Sequence, residues 1–272
     1  MTYRSLTDIE KESYRQKLKR DTQKPFDSEF VRTTDLENSL IVAHGMDGVR
    51  LIFEDQNSVA YTELGRFPSD CPWFKWNLSS IPDFIDTNFK PLAPNIPELL
   101  ASMKERCRFI YAEKSGSSWK LHYLMDVKLY DGRDYYRIYT GGMPNPDPQP
   151  NESLKAFGWK IPADLKKFYA VHDGFGEENN THSILSSERI SIMAGMMDSI
   201  CAEQNAYPEG YAYKDLLEFF PDGAGNAQCF YRTDSDGSVS GTVDWDHEVW
   251  EISEEENFFD FIDERMSSMD EE

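Results

Sequence analysis

The segment Gly141–Asn151, GGMPNPDPQPN, constrains this chain more than any other stretch. Prolines stand at 144, 146, 148 and 150. Each fixes its own φ, lacks an N–H donor and drives the preceding residue to extended geometry. Such a run cannot be a helix or an inner strand. It reads as an extended, semi-rigid linker. The expected division of the 272 residues is an N-terminal unit 1–140, a linker 141–151 and a C-terminal unit 152–272.

Charge divides at the same place. Residues 1–150 hold 20 Lys+Arg and 22 Asp+Glu, a net of −2; residues 151–272 hold 8 and 27, a net of −19, which together give −21. A field of that sign disfavours nucleic acid and anionic membranes and attracts basic partners. No apolar run reaches the ~20 residues of a spanning helix. The first residues, MTYRSLTDIEKESYRQKLKR, carry charges where a signal peptide is apolar, so the expected location is the cytoplasm. Cys71, Cys107, Cys201 and Cys229 form no C-x-x-C pair and read as buried thiols.

Upstream of the prolines, residues 5–20 read as a polar helix, and 39–43 with 49–54 as a hairpin around Met46-Asp47-Gly48. A strand at 58–64 and helices at 81–88 and 97–104 follow. Residues 108–113, 119–127 and 135–139 are β-rich and separated by turn residues, an antiparallel meander. Downstream, Pro162 suits a first helical turn. Ile161, Leu165, Phe168, Tyr169 and His172 then form one stripe at helical spacing, which Gly174 ends. A helix from Glu188 to about Gln204, with Met193 and Met197 on its stripe, is expected next. Strands at 215–220 and 227–232 flank a turn, a hairpin centres on Asp246, and a last helix, 254–266, is capped by Ser253. The fold class is α+β in two domains.

Three blocks of the C-terminal half resemble the SUKH superfamily, which includes fungal cell-wall assembly regulators and bacterial toxin-immunity proteins. Gly158, Pro162, Phe168 and Gly174 match its opening signature. Asp222-Gly223-Ala224-Gly225-Asn226 matches its D-G-x-G-N turn, and Val243–Glu248 with Phe258-Phe259-Asp260-Phe261 its closing hairpin and helix. The family more often has Asn where this chain has Asp173. Residues 1–150 carry no such resemblance. It implies a SUKH-like mixed or antiparallel sheet flanked by helices, and a bacterial protein that binds and blocks one cognate toxin, often a nuclease. A regulatory scaffold without a toxin partner is the alternative.

Nothing in the chain names a reaction. G-x-x-x-x-G-K-[ST], G-x-G-x-x-G, H-E-x-x-H and G-x-S-x-G are all missing. The group Asp244, Asp246, His247 and Glu248 disfavours a joint metal site, because on a strand His247 points away from the three acids. The reading is therefore a binding protein with no catalytic residue, metal or cofactor. Its partner is a basic toxin domain. The candidate contact residues are Asp222, Asp244, Trp245, Asp246 and Glu248, which lie on a turn and a hairpin.

Overall fold

The computed structural model describes residues 67–74, 80–128, 134–177, 182–193, 197, 212–223, 225–233, 239–246, 248–249, 251–254 and 257–268, and upstream the strand residues 30–31, 40–45, 48–53 and 58–61. The expected helix at 5–20, Cys201 and the end of the expected methionine-striped helix lie outside the described residues. Every strand pairing among them is antiparallel, in three sheets.

The first sheet holds β1 (Phe30–Val31), β2 (Leu40–Gly45) and β3 (Gly48–Phe53). The β2–β3 hairpin pairs Gly45 with Gly48, in keeping with the hairpin read from the sequence. The second sheet has six strands in chain order: β4 (Ser58–Tyr61), β5 (Cys107–Ser115), β6 (Ser118–Lys128), β7 (Asp134–Gly142), β8 (Phe175–Glu177) and β9 (Ser183–Ile184). Between β4 and β5 come α1 (Ile81–Asn88), capped by the Ser80 hydroxyl, and α2 (Pro97–Arg106). Between β7 and β8 come α3 (Glu152–Ala156) and α4 (Ala163–Tyr169). The third sheet runs β10 (Ser191–Ile192), β11 (Leu216–Pro221), β12 (Ala227–Tyr231), β13 (Gly241–Asp246) and β14 (Glu251–Glu254), followed by α5 (Phe258–Ser267).

The second sheet crosses the proline segment. β7, from the upstream half, pairs with β6 on one side and with β8 on the other, through Tyr139–Glu177, Thr140–Gly176 and Gly141–Phe175. Helix α2 has no side-chain cap of its own at Ile96. The carboxylate of Asp263 on α5 caps it instead, accepting from the Leu99 N–H at 2.7 Å and the Glu98 N–H at 3.2 Å. One hydrophobic cluster runs from Phe67, Trp73, Phe84 and Met103 to Phe168, Phe219, Phe258 and Met266. Residues on both sides of the proline segment therefore share one sheet and one hydrophobic cluster. Residues 143–151 hold neither helix nor strand, bend at Pro146 and Asp147, and lie against the protein. Pro148 is buried, Asn145 N–H donates to the Tyr169 carbonyl at 2.7 Å, and Asn151 caps α3 while donating to the Ile190 carbonyl at 2.8 Å. Backbone rules report local geometry and are silent on what the segment packs against.

The joint needs glycine at the end of β7. A Cβ on Gly141 would stand 2.2 Å from His172 Nδ1, and one on Gly142 2.2 Å from the Asp173 carbonyl oxygen. The signature turn before α4 is pinned by Trp159. Its Nε1 donates to the Lys214 carbonyl at 3.0 Å, and the Arg232 guanidinium lies 4.7 Å over its ring. Asp173 accepts from Ser187 N–H and Ser187 Oγ, both at 2.6 Å, and from Asn145 Nδ2 at 3.0 Å. Two carboxylate oxygens serve three donors here, where an Asn would offer one oxygen.

Two elements differ from expectation. Ser191–Ile192 is a strand against Glu218 and Leu217, not part of a helix starting at Glu188. A short run of alternating and helical apolar positions is ambiguous by periodicity, and pairing with β11 decides it. The last helix starts at Phe258, where the Asn257 side chain accepts from the Phe259 and Asp260 N–H groups, rather than at Glu254, which with its expected cap Ser253 is in β14.

Candidate partner-binding surface

The five-stranded sheet sets the geometry. Its register puts Pro221 opposite Ala227, Ala227 opposite Trp245, and Trp245 opposite Ile252. The β11–β12 turn and the β13–β14 hairpin therefore emerge at the same end. This brings Asp222, Asp246 and Glu248 together, although they are distant in sequence.

Asp222, Asp244 and Asp246 are half-buried and each has a structural task, whereas Glu248 is exposed. Asp222 Oδ1 accepts from the N–H groups of Gly225 at 3.0 Å and Asn226 at 2.9 Å. Gly223 and Gly225 take φ of 77° and 121°, backbone that costs a side chain but suits glycine. This is the physical basis of the D-G-x-G-N spacing. Asp246 Oδ1 accepts from Glu248 N–H at 2.8 Å and Val249 N–H at 3.4 Å, and so shapes the hairpin turn. Asp244 is half-buried and accepts from Gln228 Nε2 of β12 at 2.7 Å. Asp244 and Asp246 share a sheet face with Glu251, the partner of Asp246. Glu248 lies past the end of β13, in the turn, and is exposed.

Trp245 differs from its neighbours. It points to the opposite face, is 0 % exposed, and meets Tyr213 edge-on at 5.4 Å. It is a core residue with Met193, Met197, Cys229 and Val243 around it, and so cannot touch a partner. Strand alternation explains this, since its position lies between two outward acids. Val249 takes its place at the surface. It is 58 % exposed, the most exposed of the large apolar side chains described, with Glu248 before it in the turn and Glu251 beyond. The sequence signal for it was its place at the hairpin tip. His247 and Trp250 lie outside the described residues.

Below this end, Glu218 on β11 is held above the usual carboxylate range by burial, which outweighs the hydrogen bond from Ser191. Burial likewise pushes the thiols of Cys71 to about 11 and Cys107 to about 12, and raises that of Cys229, so these are inert apolar fillers. Among the described residues, no three His, Cys, Asp or Glu side chains are grouped to hold a metal ion, and no helix is long and apolar enough to cross a membrane. A groove of about 680 Å³ lies along the joint between the halves. Lys120 and Arg189 line it together with Asp173, Glu177 and Glu188, so its lining carries both signs of charge.

Antiparallel sheets together with helices make this an α+β protein. Residues 151–270, in the C-terminal half, match the SMI1 / KNR4 family (SUKH-1). That family serves immunity or regulatory interactions and is in general not enzymatic. No curated protein and no solved structure matches the chain.

Proposed function

We propose that the protein is an immunity-type binding protein that neutralises a basic toxin domain, a nuclease in the first instance, by direct contact through the acidic sheet end. The observation that carries this reading is the net charge of −19 on residues 151–272, in the same half as the family match. Nuclease sites hold phosphate and are therefore basic, and an acidic surface complements them. Charge of this kind acts on the encounter, raising association rates roughly 10–10³-fold at low salt. The effect fades as the Debye length falls from ~30 Å at 0.01 M to ~3 Å at 1 M.

The test starts by purifying the protein with the product of the adjacent gene, followed by association rates against ionic strength. Glu248→Lys/Glu251→Lys is the informative variant, because both side chains are exposed. It should slow association far more than it speeds dissociation. Association that is independent of salt and unchanged in the variant refutes the acidic sheet end as the docking surface.

A further inference from the structure

His172 sits just past α4 and is 0 % exposed. Its Nδ1 lies 2.9 Å from the Gly142 carbonyl oxygen, which can only accept, so Nδ1 carries the proton. Nε2 must then be the acceptor. Two groups face it, the Tyr123 hydroxyl at 2.9 Å and the Asn88 amide nitrogen at 2.8 Å. Asn88 also donates to that hydroxyl at 2.6 Å, so the hydroxyl accepts from the amide and donates to the imidazole.

All three partners come from upstream of the prolines: Asn88 from α1, Tyr123 from β6 and Gly142 from β7. His172 comes from downstream, and the rings of Trp73, Phe89 and Phe175 enclose it. Among the described residues, Tyr123 is the one titratable group hydrogen-bonded to the imidazole. Asp173 turns away to Ser187 and Asn145, and Asp86 of α1 pairs with Lys104. Among the described residues, no carboxylate is in hydrogen-bond contact with His172.

We propose that His172 is an acid-sensitive latch: a proton on Nε2 faces the Asn88 donor with no counter-charge, and the β7–β8 joint between the halves opens before the five-stranded sheet does. Desolvation depresses the pKa of the buried imidazole from 6.5 to about 4, against the smaller opposing effect of the Gly142 bond. The folded value lies below the unfolded one. The latch is therefore fully closed above about pH 6.5 and is lost as pH falls through about 4. Across that window protonation favours the open joint by about 300-fold, ten to the power of the difference between the two values.

The experiment uses the full chain with ¹⁵N-labelled histidine, followed by NMR from pH 7.5 to 4, together with amide exchange corrected for intrinsic rates. The His172 Nδ1–H tautomer should persist below pH 5. As it protonates, amides in Tyr139–Gly141 and Phe175–Glu177 should lose protection while those in Ala227–Tyr231 keep theirs. Asn88→Asp places a carboxylate against Nε2 and should hold the imidazole charged, removing the acid-dependent loss. Titration of His172 near 6.5 with β7–β8 protection intact overturns the latch. So does simultaneous loss of protection in both sheets. The wild-type titration decides the matter even where the variant does not fold.

Discussion

Replacing Phe175 by Ala removes the ring on which the two halves of the molecule meet. Phe175 is 2 % exposed. Its ring centroid lies 5.6 Å from Phe89, 5.8 Å from Tyr123 and 6.0 Å from Tyr139, all upstream of the prolines. It lies 6.2 Å from Phe168 and 5.5 Å from His172, both downstream. Phe→Ala in a core costs about 3–5 kcal/mol, as lost transfer free energy plus the cavity left behind. Each aromatic pair adds about 0.5–1.5 kcal/mol, though contacts sharing one ring are not additive. The surrounding rings are braced by β7 and α4, so the site collapses little. The expected loss is thus about 5 kcal/mol, a large part of the ~5–15 kcal/mol that holds a domain. The assay is urea unfolding, read at Trp73 and Trp119 for the upstream half and Trp159 for the downstream half in single-tryptophan variants. Both probes should shift together to lower urea. A loss below about 1.5 kcal/mol, or an upstream transition that stays in place while the downstream one moves, refutes the single shared core.

Two further outcomes follow from the same packing. A fragment of residues 151–272 loses the β7 partner of β8 and the Trp73 and Phe89 rings beside His172, so it should not fold cooperatively alone; a sharp thermal transition by circular dichroism in the isolated fragment contradicts this. Glu218→Gln removes a buried carboxyl whose folded pKa is raised, so wild-type stability is lost as pH rises through that value; the variant should be more stable than wild type at pH 8 and lose that part of the pH dependence, and equal pH profiles in chemical denaturation show that the buried carboxyl carries no such cost.

What the sequence determined by itself was local. Alternation in 108–113 and 119–127 located the meander, the stripe Leu165, Phe168 and Tyr169 identified α4, and D-G-x-G-N marked a turn whose Asp and glycines have the roles that spacing demands. The division of charge and the blocks shared with the SUKH-1 family were also legible, because both are properties of residue identity alone. Only the tertiary structure decided the rest. β8 pairs with β7 although a proline segment and two helices separate them, Asp263 caps a helix more than 150 residues upstream, and Ser191–Ile192 is a strand because β11 accepts it. It also decided which face of β13 is packed into the core, that of Trp245 and not that of Asp244 and Asp246. The physical reason is common to all four. Periodicity and turn chemistry describe what a backbone segment prefers alone. Partners across a sheet or at a helix end are chosen by burial and hydrogen bonding between residues far apart in the chain.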